Sequence, residues 1–264
     1  MTLRRLDAEL VRRGLATTPQ EAREAVDAGR VTVRGVTATT VASMVSGDSP
    51  VAVNGPPSDF VSRAGGKLAA ALDRFGIDPT GKGCLDAGAS TGGFTDCLLQ
   101  RGASRVASVD VGYGQLAWRL RSDGRVVLLE RTNVRELTPG MIPFVPDLVV
   151  ADLSFISLRS VLGALAAVGS SSADHVVLVK PQFEARRDEV EPGGVVRDPE
   201  VWRRVIAAVA GSGRSAGLEP QGLMASPLPG PAGNVEFPLH LAAGGRGRAL
   251  DLDAAIREGQ GLLR

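Results

Sequence analysis

The 264-residue chain reads as an α/β protein: a mostly parallel, seven-stranded sheet ending in an antiparallel hairpin, with a small α+β unit in front of it. Three observations predict this. From residue 82 onward, short apolar runs alternate with helix-periodic stretches, the pattern of βα units laid into a parallel sheet. A glycine-rich turn, Asp86-Ala87-Gly88-Ala89-Ser90-Thr91-Gly92-Gly93, stands between the first such run and the first such helix. The last two runs are joined only by a Pro/Gly turn at 227–233, too short for a crossover helix, so they pair antiparallel.

The leading unit covers residues 1–56. Leu3, Leu6, Leu10 and Val11 recur at helical spacing, and Gly14 stops that helix. Thr18-Pro19 opens a second helix, with proline in the first turn, which runs to Ala28 before Gly29. Val31, Val33 and Val36 alternate with polar residues as strand around Gly35, and more short strand lies within 41–53. Asn54-Gly55-Pro56-Pro57 is a turn, and residues 57–66 form a linker.

The larger domain covers 67–264. A helix re-enters from Val61 to about Phe75 and carries Lys67 near its start. The helix dipole mildly disfavours a cation there, and an anionic substrate or a carboxylate partner would account for Lys67. Strands are expected at 83–87, 105–110, 125–129, 147–151, 175–179, 219–225 and 235–241. Helices fit near 92–101, 114–122, 156–168 and 199–216, with an amphipathic helix over 250–264.

Composition narrows the class. The hydrophobic fraction is 44% and no run approaches the roughly 20 apolar residues of a membrane span. Arg4 and Arg5 are not followed by an apolar segment, which argues against a secretory signal and for a cytoplasmic protein with no membrane partner. Cys84 and Cys97 are the two cysteines, too few for a metal or disulfide framework, and both read as small buried hydrophobes. A net charge of +1 carries no global nucleic-acid signal. Of 30 basic residues only Lys67, Lys82 and Lys180 are lysine. Arginine keeps its proton, whereas a buried lysine can be tuned to lose it, so lysines kept against this bias are candidates for chemistry. Lys82, upstream of the loop strand, reads as surface.

Ligands of such sheets bind at the C-terminal edges of the strands. Gly88, Gly92 and Gly93 let backbone N–H groups close on a ligand at a helix start, with Ser90, Thr91 and Phe94 alongside. The spacing is neither a phosphate-binding P-loop nor the G-x-G-x-x-G of dinucleotide enzymes. It resembles the D-x-G-x-x-x-G-G motif of S-adenosylmethionine-dependent methyltransferases. On that resemblance the fold is Rossmann-like, S-adenosyl-L-methionine is the cofactor, and Asp86, Ala87, Gly88, Ser90, Thr91, Gly92, Gly93 and Phe94 hold it. Asp110 and Val111 follow the second strand, where a carboxylate suits a ribose diol. Thr132 and Asn133 follow the third, beside an adenine edge.

Asp152 ends the fourth strand, Lys180 the fifth, and Glu236 lies in the last hairpin strand. With Lys67 they make a Lys-Asp-Lys-Glu set that resembles FtsJ-type ribose 2′-O-methyltransferases. A ribose hydroxyl is a poor nucleophile, and a lysine whose pKa is lowered by desolvation or a second cation can take its proton near neutral pH. Lys180 is expected to be that base, with Asp152 and Glu236 orienting it and Lys67 positioning the hydroxyl. Asp152 also borders the cofactor. No metal is required.

In the leading unit, Arg5-Leu6-Asp7, Arg13-Gly14-Leu15 and Gly29-Arg30-Val31-Thr32-Val33-Arg34-Gly35 resemble the S-four-type RNA-binding domain, although Pro19 stands where members often carry a basic residue. Arg4, Arg5, Arg12, Arg13, Arg30 and Arg34 are candidate phosphate contacts there, with Arg63 beyond the linker. The two domains in this order resemble the TlyA family of ribosomal RNA methyltransferases. The resemblance extends through Val61-Ser62-Arg63, Asp110-Val111-Gly112-Tyr113-Gly114, Ala151-Asp152-Leu153-Ser154-Phe155, Val179-Lys180-Pro181-Gln182-Phe183-Glu184 and Gly233-Asn234-Val235-Glu236. It implies 2′-O-methylation of cytidines in 16S and 23S rRNA of the 30S and 50S subunits, linked to capreomycin and viomycin sensitivity, and this chain is similar to the longer members that modify both. Where some relatives have a linker Trp, this chain has Phe60. Family members are also labelled haemolysins. A membrane-active toxin is the alternative from another class, and the absence of a span or an apolar amphipathic helix opposes it. A non-catalytic ribosome factor would show a damaged charged set, and an S-four-bearing pseudouridine synthase would lack the cofactor loop.

Overall fold

A computed structural model describes residues 3–16, 18–27, 29–54 and 59–263. The expected end of the second helix at Ala28 and most of the 54–57 turn lie outside the described residues, as does Ser58 of the linker.

The leading unit has its own apolar core of Leu6, Leu10, Ala22, Val26, Val31 and Val45. Strand β1 (Leu3–Arg5) precedes helix α1 (Leu6–Arg12). Leu3 therefore leaves the helical pattern: it pairs with Ser46 of β4 (Met44–Ser46) and is exposed. Helix α2 (Pro19–Asp27) starts as read, with the Thr18 hydroxyl accepting from the Glu21 N–H at 3.1 Å. Strands β2 (Val31–Val33) and β3 (Val36–Thr37) form a hairpin, and β5 (Val51–Val53) pairs with the other edge of β2.

Helix α3 (Ala64–Phe75) begins three residues later than expected. The expected domain boundary at 66/67 falls inside it. The main sheet follows, with β6 (Gly83–Ala87), β7 (Arg105–Val109), β8 (Val126–Leu129), β9 (Leu148–Ala151), β10 (Asp174–Val179), β11 (Leu218–Leu223) and β12 (Phe237–Ala243). Its order is β11-β12-β10-β9-β6-β7-β8. β12 lies antiparallel between β10 and β11, and the other pairings are parallel.

Side-chain alternation sends the sheet's two faces into separate cores. Leu85, Ala87, Val149 and Val177 pack toward α6 (Leu162–Val168), α8 (Pro199–Ser215) and α9 (Leu252–Gly261). Cys84, Val106, Leu148 and Val150 pack toward α3, α4 (Gly93–Gln100) and α5 (Trp118–Arg121). The helix expected at 114–122 is thus a single turn, because residues 112–117 are held in a loop by Ala117 N–H donating to the Thr91 carbonyl at 3.1 Å. The stretch 156–168 divides into a 3-10 turn, Leu158–Ser160, and α6. A short helix, α7 (Pro181–Glu184), follows β10 with proline at its first position.

Candidate active site

The sheet's C-terminal edge gathers the predicted residues. Gly88, Asp152 and Lys180 each follow one of three adjacent parallel strands, β6, β9 and β10. Because β12 runs the other way, its first residue, Phe237, pairs with Val179, which sets Glu236 beside Lys180 along the edge. Lys67 enters from α3, which packs on α4 and touches β12. All four charged residues line one cleft of about 340 Å3, together with Gly88, Ala89, Ser90, Thr91, Gly93 and Phe94 of the glycine loop.

The set is arranged as two ion pairs. Lys180 Nζ lies 2.6 Å from Asp152 Oδ1 and donates to the Ser154 hydroxyl at 3.0 Å. Lys67 Nζ donates to Glu236 Oε2 at 2.5 Å, with both side chains almost wholly buried. Of the two expected explanations for a cation at a helix start, an anionic substrate or a carboxylate partner, Lys67 has the carboxylate, Glu236. This corrects the expected pairing of Glu236 with Lys180, because the carboxylate is engaged by Lys67 instead. Ser154 was not singled out in the sequence. Its position two residues beyond Asp152, on the same loop, is the signal that marks it.

The glycine loop is shaped for close approach. Gly88 has φ +87°, and a Cβ there would come within 2.5 Å of the Asp152 carbonyl. A Cβ on Gly93 would meet the Ser62 hydroxyl at 2.3 Å, since the start of α3 lies directly against the loop. Gly92 precedes α4 as its N-cap.

Several expected cofactor contacts are placed differently. Asp86 is fully buried, because strand alternation turns it to the face of Cys84, toward α4 rather than out of the sheet edge. One carboxylate oxygen accepts from Thr95 N–H at 2.8 Å and Thr95 Oγ1 at 2.7 Å, and Thr95 Oγ1 meets Ser108 Oγ at 2.7 Å. Its other oxygen has no hydrogen-bond partner among the described residues. Burial pushes the Asp86 carboxyl up to about 7, against the lowering effect of the Thr95 hydrogen bonds. Asp86 therefore pins the first turn of α4. Asp110 accepts from the N–H groups of Ser90 at 2.8 Å and Gly112 at 2.7 Å, tying the two loops together, while Val111 is exposed. Thr132 donates to the Glu130 carbonyl, and Asn133 caps the 3-10 turn at Val134–Glu136, so both are engaged locally and neither lines the cleft.

Among the arginines, Arg13 is a bracket inside its own unit. It pairs with Glu9 at 2.7 Å and donates to the carbonyls of Ser49 and Gly47 at 2.8 Å each, which corrects its reading as a phosphate contact. Arg12 pairs with Glu9 and Arg5 with Asp7, and both side chains stay about half exposed. Arg4 is exposed on β1. Arg34 occupies the hairpin turn at φ +53° and reaches the Ser49 hydroxyl. Arg30 Nε and Arg63 Nη2 are buried without a hydrogen-bond partner among the described residues. Arg63 lines the reaction cleft, and so do Val26, Asp27, Gly29, Thr37, Ala38 and Thr39 of the leading unit. The sequence held no signal for this second wall, which depends on how the two units meet.

Residues 60–243 match the FtsJ-like methyltransferase family, and residues 4–51 match the S4 domain. The 16S/23S rRNA (cytidine-2′-O)-methyltransferase TlyA of Mycobacterium tuberculosis is 55% identical over 90% of this chain and 89% of its own length. A solved structure of a haemolysin-named protein from Streptococcus thermophilus is 36% identical, with a TM-score of 0.76 over 99% of this chain and 95% of that one. An S-adenosylmethionine-dependent methyltransferase from Listeria monocytogenes, at 16% identity, shares the fold of the larger domain with a TM-score of 0.52 over 69% of this chain and all (100%) of that one.

Proposed function

The chain belongs to the FtsJ-like methyltransferase family, in the TlyA branch that carries an S-four-type domain, and on that premise we propose that it methylates the ribose 2′-hydroxyl of cytidines in 16S and 23S ribosomal RNA. The observation that carries this reading is the double ion pair, Lys180–Asp152 and Lys67–Glu236, in one cleft with the glycine loop. S-adenosyl-L-methionine supplies the methyl group as a sulfonium. The Cβ-free approach at Gly88 fits a ligand at this loop. Gly88, Ala89, Ser90 and Thr91 would hold it, with Asp110 at its ribose end.

Within this chain, Lys180 in its neutral form takes the hydroxyl proton through Nζ, so that its hydrogen bond to Asp152 becomes an ion pair as the ammonium forms. Asp152 at 2.6 Å and Ser154 at 3.0 Å hold the amine in place, and the carboxylate stabilises the ammonium that results. Lys67, fixed by Glu236, positions the hydroxyl from the opposite side. Alignment supplies much of the acceleration, since methyl transfer is an in-line displacement. The leading unit, proposed as residues 1–56 joined by the linker 57–66 to the domain 67–264, supplies affinity for structured RNA through phosphates and shape. Arg4, Arg5, Arg12, Arg30, Arg34 and Arg63 are the proposed contacts.

Two features support action on both subunits: near full-length similarity to a relative named for 16S and 23S rRNA, and the paired domains. Loss of the protein would then lower sensitivity to capreomycin and viomycin. The test is transfer of a labelled methyl group from S-adenosylmethionine to unmodified 30S and 50S subunits, with Lys180→Ala as control. Label on a cytidine ribose in each subunit, absent in the variant, is the expected result. No transfer to either subunit, despite cofactor binding, would overturn the rRNA assignment.

The haemolysin name of a relative raises a second reading, a membrane-active protein. No helix among the described residues is long and apolar enough to cross a membrane. A haemolysis assay on the purified protein checks this directly.

A further inference from the structure

Resting on the RNA-modifying reading above, we propose that a groove between α2 and the loop 113–118 holds an unpaired nucleobase of the RNA substrate, stacked on Trp118 and Tyr113. The chain has one tyrosine and two tryptophans. Trp202 is fully buried, as a core tryptophan should be, whereas Tyr113 is 67% and Trp118 75% exposed. Both line a groove of about 330 Å3 whose opposite wall is the Gln20–Asp27 stretch of α2. Large aromatic surface left in water beside a catalytic cleft marks a binding surface.

Position and chemistry identify the occupant. Asp27 and Thr91 line both this groove and the reaction cleft, so a chain lying in one continues into the other. Arg131 holds its guanidinium 4.5 Å from the Tyr113 ring centre from a left-handed backbone, φ +52°. A non-glycine residue in that conformation is strained, and such strain concentrates at functional sites. The stacked guanidinium covers Tyr113 from one side and leaves most of the ring in solvent. Glu24 and Asp27 on the α2 wall offer acceptors that suit the exocyclic amines of a base. Arg23 on the same wall and Arg121 also line the groove, and Arg131 stands beside Tyr113, so positive charge for the flanking phosphates is at hand. Stacking on flat side chains accepts any base and requires it to be unpaired, so the groove selects single-stranded rather than duplex RNA.

Trp118 itself reports the event. Trp202 is buried and unchanged in Trp118→Phe, so the fluorescence change lost in that variant is the part that Trp118 reports. Protein-free 23S rRNA transcript is expected to quench the wild-type protein and to shield it from acrylamide. Trp118→Phe should bind the transcript and show no quenching, while Trp118→Ala should bind at least about fivefold more weakly, with unchanged cofactor affinity. Trp118 is exposed, so neither replacement threatens the fold. Equal transcript affinity for wild type and Trp118→Ala, or a wild-type complex with Trp118 unquenched, would overturn the proposal. So would a Trp118→Ala defect seen with intact subunits and absent with the transcript, which would assign the groove to a protein partner. If wild type neither binds nor methylates rRNA, the functional reading falls first and this proposal with it.

Discussion

Lys67 and Glu236, 169 positions apart, meet at 2.5 Å in a site almost closed to solvent. The pair ties the first helix of the larger domain to the last hairpin of its sheet. Removing one partner leaves a buried charge uncompensated. Lys67→Met is therefore expected to destabilise the protein by about 3 kcal/mol in urea unfolding, and Lys67→Met with Glu236→Gln by clearly less. A double-variant loss equal to the sum of the Lys67→Met and Glu236→Gln losses would show that the two side chains do not interact.

Proton removal by Lys180 separates amine from guanidinium. Lys180→Ala should lower methyl transfer by about 10^2 to 10^4, with cofactor affinity by calorimetry kept within a few-fold. Lys180→Arg keeps the charge opposite Asp152 but cannot accept a proton, so it should be nearly as inactive. An active arginine variant would remove Lys180 as the base.

Gly88 cannot take a side chain. At φ +87° with a carbonyl 2.5 Å from any Cβ, Gly88→Ala must move the loop or the Asp152 strand end. Calorimetry should show cofactor affinity reduced at least about tenfold, from roughly 1–3 kcal/mol of strain and displacement. Unchanged affinity would mean the cofactor does not rest on this loop.

Two buried carboxylates give the stability–pH curve opposite slopes. Asp86 is pushed up to about 7 from an ordinary 3.8, mainly by burial, so the folded state holds a proton the unfolded chain releases. Stability contributed there declines as pH rises from about 4 to 7, and Asp86→Asn should flatten that part of a melting-temperature curve. Glu9 is held down to about 2 by Arg12 and then Arg13. Its contribution is complete above about 4.5 and disappears as pH falls toward 2, so acid should unfold the leading unit in that window. Glu9→Gln should remove the acid limb without altering the limb due to Asp86.

Much of this arrangement was legible in the residues alone. The short apolar runs locate all seven main strands to within two residues or so, because strands buried on both faces leave a continuous apolar signature. The short turn at 227–233 identifies the antiparallel hairpin, and the four charged residues come to one cleft because each sits at a strand end or helix start on the same edge. Pairing was not legible. Which lysine takes which carboxylate depends on β12 lying between β10 and β11, a long-range order that local pattern does not encode. Asp86 misleads in the same way: its place in the motif suggests a ligand contact, and only strand alternation turns it toward Thr95. Leu3 and Arg13 answer to tertiary partners, Ser46 across a strand pair and the carbonyls of Gly47 and Ser49.

The cleft's second wall has a consequence for fidelity. Because Val26, Asp27, Gly29 and Thr37 of the leading unit border the space where the hydroxyl must be placed, recognition and reaction share one enclosure. The RNA-binding unit thus forms part of the reaction chamber itself, so that a ribose reaches the charged set only past residues of that unit. A fragment of the larger domain alone would be indiscriminate rather than merely weak, retaining slow methylation of short, unstructured RNAs while losing its preference for the ribosome.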